Sequence, residues 1–253
     1  YFYKMYNFAW KCKYIFVNLY MTYNNSDELC AKIAERTKGV TLLRFSCGKD
    51  AIASWIQLKR YFHTIIPIYH YLHPDLDFVN NSLNYYEDYF KTKIIRVPNA
   101  LLYKHLNSGL YQDRKNWEFI DSFALNNFDN DDANELIKKQ KNIAINTMTA
   151  IGVRAADSLN RQLSIKKYGA VNEKRKTWFP VYDWNIEKLT NEIKKEGVKL
   201  PVDYKIWGKS FDGLDYRFIK PLKDNFPNDY EKLKILFPLI DVEIKRYEDN
   251  TIY

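Results

Sequence analysis

Six consecutive residues, Ser46-Cys47-Gly48-Lys49-Asp50-Ala51, bring together a hydroxyl, a thiol, a glycine, an ammonium and a carboxylate. At the start of a helix, successive backbone N–H groups form a concavity suited to phosphate, and the helix dipole adds to the attraction. Ser46 can donate its hydroxyl and Lys49 supplies a point charge. Cys47 has a second chemical option, because a helix N-terminus lowers a thiol pKa, although a small residue in a tight turn is the plainer account. Farther along, Arg154 has a planar fork that pairs bidentately with phosphate or sulfate, or with a carboxylate such as Asp157. His70 and His73, followed by Asp75 and Asp77, show no third ligand, so a polar loop at a sheet edge is expected and no metal ligand is assigned. Lys166, Lys167, Lys174, Arg175 and Lys176 suit either a 3′-phosphate or nucleic-acid backbone, or a solvated face, which such runs more often form.

Elements must hold these groups in place. Glu28 to Thr37 reads as a helix, and Val40 to Phe45 as a β-rich run ending at the polar cluster. Helical spacing returns from Asp50 to Phe62. A strand follows at Ile65 to Leu72, a helix from about Asn80 to Tyr89 and a strand at Lys93 to Val97. This β-α-β-α-β order demands parallel strands with right-handed crossovers, hence an α/β doubly wound parallel sheet, and places Ser46 to Ala51 at a carboxyl-end crevice. Residues 98 to 131 read as looser and polar, leading to a helix at Ala133 to Lys141. Asn146 to Gly152 is the fourth strand and Trp178 to Tyr182 a further short one. Asp183 is the expected cap of a helix from Ile186 to Lys195, which Gly197 stops. At least two short helices are expected after Pro201.

With the elements in this order, Phe45 to Ala51 resembles the SGGxDS pyrophosphate loop of the PP-loop ATP pyrophosphatases, the adenine nucleotide alpha hydrolase superfamily. Gly152-Val153-Arg154-Ala155-Ala156-Asp157-Ser158 with Arg161 is similar to the GxRxxES segment of its phosphoadenosine phosphosulfate (PAPS) reductase branch. Pro180-Val181-Tyr182-Asp183-Trp184, the following helix, Gly197, Pro201 and Tyr204 resemble a further block of that branch. Ser210 to Arg217, Phe226-Pro227 and Phe237-Pro238 look like the C-terminal region of phage- and plasmid-encoded relatives. The resemblance spans residues 30 to 207. It implies a Rossmann-like fold binding ATP or a PAPS-like adenylyl nucleotide, with Mg²⁺ as a companion ion. Ser46, Cys47, Gly48, Lys49, Asp50, Ala51, Gly152, Arg154, Asp157 and Arg161 would line the nucleotide site, and Lys49, Asp50 and Arg154 would act in catalysis, Asp50 orienting the loop or the ion. Asp75 and Asp77 lie in a loop where the branch makes nucleotide contacts. Two loop positions depart from the pattern: Cys47 replaces a glycine and Ala51 replaces the final serine, which removes a hydroxyl donor.

The chain holds 253 residues, 46% hydrophobic and 28% charged, which is globular material for one core or one core with an appendage. Its net charge of +8 points to an anionic partner, though 29 of the 39 basic residues are lysine, as in a solvated surface. Three cysteines, Cys12, Cys30 and Cys47, exclude a disulfide framework and imply a cytoplasmic, reducing setting. No cysteine follows Cys47, so the thiolate that PAPS reductases use is missing, as are the cluster cysteines of the branch that sulfurates DNA. Residues 1 to 20 carry nine aromatics and three lysines without a membrane-spanning run. Met21 is the expected start and residues 1 to 20 a non-native leader, with a nucleotide-binding domain at 21 to 207 and a helical extension at 208 to 253. The expected function is cleavage of the α–β bond of a nucleotide, releasing pyrophosphate to adenylate an acceptor whose identity the residues do not specify. The alternatives are sulfonucleotide reduction with a partner-supplied thiol, or a non-catalytic nucleotide-binding module acting with a DNA-associated partner. Nucleic acid is a minority partner and a membrane is not expected.

Overall fold

The computed structural model describes the backbone of residues 23 to 250 and side chains up to residue 248, so the expected leader, Met21 and Cys12 lie outside the described residues. Helix α1 (Ser26–Arg36) starts where the Asn25 side chain accepts the Glu28 N–H, with Asp27 and Glu28 against the positive end of the dipole. It leads through Gly39, at φ +70°, into β1 (Val40–Arg44). Then come α2 (Lys49–Leu58), β2 (Thr64–Tyr71), α3 (Asp77–Phe90) and β3 (Ile95–Pro98), the order expected. The stretch expected to be loose holds two short helices, α4 (Ala100–Asn107) and α5 (Trp117–Ser122). Helix α6 (Asn130–Gln140) begins three residues earlier than expected. Asp129 accepts from the Asp131 and Asp132 N–H groups while Asp132 accepts from Asp129, a reciprocal cap that hydrophobic periodicity does not register.

The fourth strand shortens to β4 (Thr149–Ile151), and α7 (Leu159–Tyr168) follows. A hairpin of β5 (Val171–Asn172) and β6 (Thr177–Trp178) takes up part of the basic run. Residues 179 to 182, expected in a strand, leave the sheet. Helix α8 (Ile186–Glu196) is capped by Asn185 rather than Asp183, and Gly197 ends it at φ +68°. Asp183 instead accepts the Ser26 N–H at 3.1 Å, so its carboxylate joins two segments 157 residues apart. A short turn of helix, α9 (Asp203–Ile206), precedes α10 (Tyr216–Asn225), α11 (Pro227–Leu236) and α12 (Asp241–Asn250).

The six strands run β3-β2-β1-β4-β6-β5, all parallel except β5. The chain winds outward from β1 through β2 to β3, then returns to β4 on the other side of β1. The winding therefore reverses between β1 and β4, and in such sheets the ligand crevice lies beyond the carboxyl ends of those strands. Alternation along β1 sends Leu43 and Phe45 into the main core with α1, α2, α3 and α8, and Leu42 toward Ile137 of α6 on the opposite face. Helices on both faces make this an α/β, Rossmann-like doubly wound sheet with a helical C-terminal region. Phe218, Ile219, Leu222, Tyr230, Leu233 and Phe237 of that region are buried, and all but Phe218 belong to the same apolar cluster as α1 to α3.

Trp55 of α2 anchors that cluster. It stacks on Phe90 at 4.0 Å between ring centroids and meets Phe45 edge-on at 4.9 Å, with 1% of its surface exposed. Trp55→Ala removes this contact and should destabilise the protein by about 3–5 kcal/mol, read from the shift of the denaturant midpoint at unchanged m-value.

Candidate functional site

The loop Phe45–Gly48 carries the chain from β1 to α2 at the reversal point. Cys47 sits at φ +58°, the left-handed region that glycine adopts most easily, at the position where the pyrophosphate-loop pattern has glycine. Gly48 is the N-cap of α2 and has no side chain to satisfy the first amides. The Ser46 hydroxyl accepts the Gly48 N–H at 3.4 Å, and the Tyr204 hydroxyl accepts the Lys49 N–H at 2.8 Å. The Lys49 ammonium lies 3.3 Å from Asp50 Oδ2.

Across the crevice, β4 ends against the first turn of α2. A side-chain carbon on Gly152 would fall 2.6 Å from the Asp50 carbonyl carbon and 2.7 Å from the Ala51 nitrogen, so the two backbones meet where only glycine fits. Arg154 lies two residues on and is buried. Its Nε donates to Asp50 Oδ1 and its Nη2 to Asp157 Oδ1, each at 2.5 Å, and Nη1 reaches the Trp184 carbonyl at 3.4 Å. Arg161, half-exposed on α7, donates to Asp157 Oδ2 at 2.5 Å. Lys49, Asp50, Arg154, Asp157 and Arg161 thus form a chain of alternating charge from the loop to α7. The Arg154 fork is engaged by carboxylates of this protein, one of its two expected pairings, and through Asp50 it fixes the first turn of α2.

Trp184 completes the frame. Its Nε1 donates to Ser26 Oγ at 2.9 Å, and the Ala155 N–H donates to the Tyr182 carbonyl at 2.8 Å, so the segment after β6 is stitched to α1 and to the end of β4.

Ser46, Cys47, Gly48, Lys49, Asp50, Ala51, Gly152, Arg154, Asp157 and Arg161 are brought to one end of β1 and β4. His70, which lies within β2 paired with Val97 of β3 rather than in a loop, and His73 are not part of this group. His73 is buried with Nδ1 at the Pro74 carbonyl and Nε2 3.1 Å from the Lys232 carbonyl of α11. Asp77 pairs with Lys232 at 2.5 Å, and among the described residues no group of three His, Cys, Asp or Glu could hold a metal. The basic run is dispersed: Arg175 pairs with Asp131 at 2.7 Å and Lys176 donates to the Ile145 carbonyl at 3.0 Å, while Lys166, Lys167 and Lys174 are exposed. Burial pushes the Cys47 thiol well above its usual value, with Asp203 adding to the rise, and burial also raises Cys30, so neither is poised as a thiolate.

The residues that the sequence reading did not assign to the site are Tyr204 and Ser210, whose hydroxyls reach the loop from beyond α8. Tyr204 was visible only as one position of a longer resemblance. Nothing local marks its hydroxyl as a partner of a residue 155 positions away.

No family model matches the chain, and no curated protein matches it. Among solved structures it is similar to an NH3-dependent NAD synthetase from Campylobacter jejuni, described in complex with the nitrate ion. The identity is 15% and the TM-score 0.41, over 87% of this chain and 92% of that one. Among the described residues no helix is long and apolar enough to cross a membrane.

Gly152→Ala must push the end of β4 and the start of α2 apart and should cost about 1–3 kcal/mol, seen as a lower Tm, because the clash is with backbone atoms and no side-chain rotation relieves it. His70 supplies a pH test. Its two ring nitrogens are buried, and burial, with Arg44 beside it and only the Asn130 backbone and Asp131 pulling the other way, holds its pKa at about 4 against 6.5 when free. Between those values the unfolded chain takes up the proton and the folded one does not, so stability should fall as pH drops from 6.5 toward 4. His70→Leu should show a smaller slope in that window; His73 and His105, also lowered by burial, would supply the remainder.

Proposed function

We propose that this protein binds ATP or a related adenylyl nucleotide with its phosphates at the β1–α2 loop, and that it cleaves the α–β bond to adenylate an acceptor. The observation that carries this reading is the position of Ser46 to Ala51. The loop opens a helix at the reversal point of a parallel sheet, its cap is a glycine, its ammonium sits at the mouth, and the Asp50–Arg154–Asp157 chain fixes its first turn. It agrees with the resemblance of this loop and of Gly152 to Arg161 to the PP-loop ATP pyrophosphatases.

The residues fit a polyphosphate. Lys49 supplies the charge, and the first-turn amides of α2 with the Ser46 hydroxyl supply donors. An acceptor oxygen or nitrogen attacks the α-phosphorus, the bond to the bridging oxygen breaks, and pyrophosphate departs with the electron pair. With water as acceptor the products are AMP and pyrophosphate. Asp50 is engaged by Arg154 and Lys49, so a Mg²⁺ ion arriving with ATP would be held by the phosphates. Its chemistry there is charge neutralisation, while this chain contributes positioning and donors aimed at developing negative charge. Reduction through the chain's own described thiols is disfavoured by the burial of Cys30 and Cys47.

Purified protein given ATP and Mg²⁺ should release pyrophosphate and AMP, measured by coupled pyrophosphate detection and nucleotide chromatography. Lys49→Ala should abolish the release without lowering Tm. Absence of turnover with tight nucleotide binding by calorimetry would make the protein a nucleotide-binding module instead, and absence of both would refute the proposal.

A further inference from the structure

We propose that Tyr204 and Ser210 complete the phosphate site by donating their hydroxyl protons to the bound oxyanion, in place of the donor missing at Ala51. This rests on the nucleotide reading of the β1–α2 loop and assigns part of that site to the segment beyond α8.

Three hydroxyls, one from the β1–α2 loop and two from the segment after α8, surround Gly48. A side-chain carbon built on Gly48 would lie 3.2 Å from Ser46 Oγ, 3.4 Å from Ser210 Oγ and 3.6 Å from Tyr204 Oη. The Ser46 and Tyr204 oxygens are engaged as acceptors, from the Gly48 and Lys49 amides, which leaves each hydroxyl proton free to point elsewhere. Among the described residues none of the three protons has an acceptor. The Lys49 ammonium lies 6.0 Å from the centre of the Tyr204 ring. Hydroxyls that converge on one spot beside a cation, with their protons not given to any described residue, match a negatively charged acceptor, and a phosphate oxygen is such a group. Burial raises the pKa of Tyr204, which keeps it protonated as a donor.

The segment is built to present them. Asp203 is buried, and its carboxylate accepts the Phe211 N–H at 2.8 Å, closing a loop that carries Tyr204 and Ser210 on the same side. Trp207 and Phe211 pack on Phe78 and on each other, with ring centroids 5.4–5.5 Å apart, and hold the loop against α3. Asp203 is a positioning residue in this scheme; Tyr204 and Ser210 are the groups that touch ligand.

The test is calorimetric titration with inorganic pyrophosphate, and separately with ATP and Mg²⁺, of the full chain and of Tyr204→Phe, Ser210→Ala, the double variant, Ser210→Thr and Lys49→Ala. Each lost hydroxyl should weaken binding about tenfold and the double variant on the order of a hundredfold. Ser210→Thr, which keeps the hydroxyl, should stay near wild type, and circular dichroism and Tm should confirm that every variant is folded. If Lys49→Ala loses binding but the double variant stays within twofold of wild type, the assignment of Tyr204 and Ser210 is overturned and the nucleotide reading stands. Tighter binding by Tyr204→Phe also overturns it, since the hydroxyl would then compete with phosphate for the Lys49 amide. If the wild-type protein binds neither ligand, the nucleotide reading fails and this inference with it.

Discussion

The ion pair between Arg154 and Asp50 ties the two halves of the doubly wound sheet together where they part. Asp50 stands in the first turn of α2 and Arg154, 104 residues later in the chain, just beyond β4, so their contact closes the crevice floor between two strands adjacent in the sheet. A buried guanidinium is costly unless its donors are met, and here Asp50, Asp157 and the Trp184 carbonyl meet them. The same pairing limits what Arg154 can do for a ligand. It positions the loop, and in the nucleotide reading proposed above direct contact with the phosphates would fall to Lys49, to backbone amides and to hydroxyls.

Two further constraints act on the same few residues. Gly152 lets β4 run into the first turn of α2 at a distance no Cβ allows, which brings Arg154 within reach of Asp50. Cys47 holds a left-handed backbone that suits glycine better, and its thiol turns inward to a buried position beside the field of Asp203. A thiol at a helix N-terminus is commonly activated, but at Cys47 desolvation outweighs the dipole, because the thiolate would have to form out of contact with water. The loop keeps the shape of an anion cradle while its sulfur belongs to the core.

Charge distribution narrows the reading of the basic composition. The lysine excess reads at first as a surface for an extended anion. In the folded protein Arg175 and Lys176 are engaged by Asp131 and the Ile145 carbonyl, and the remaining lysines of that run are exposed on α7 and the hairpin turn. The cations that converge do so around Asp50 and Asp157, where Lys49, Arg154 and Arg161 pair with the two carboxylates.

Much of this was legible in the residues. Hydrophobic periodicity and turn signals give the order from α1 to β3 and the loop at the end of β1, because those patterns depend on neighbours a few positions apart. The same locality explains the errors. Asp183 reads as a cap for α8 from its place in the chain, yet Asn185 takes that role and Asp183 turns to Ser26, a partner 157 residues away. The early start of α6 rests on a reciprocal cap between Asp129 and Asp132. Tertiary structure alone decided that Arg154 is paired with Asp50 and Asp157, that Cys47 is buried, and that Tyr204 and Ser210 reach the loop. Each of those facts depends on which distant segments share a desolvated space, and packing of the whole sheet settles that, whereas a sequence records only which groups are present.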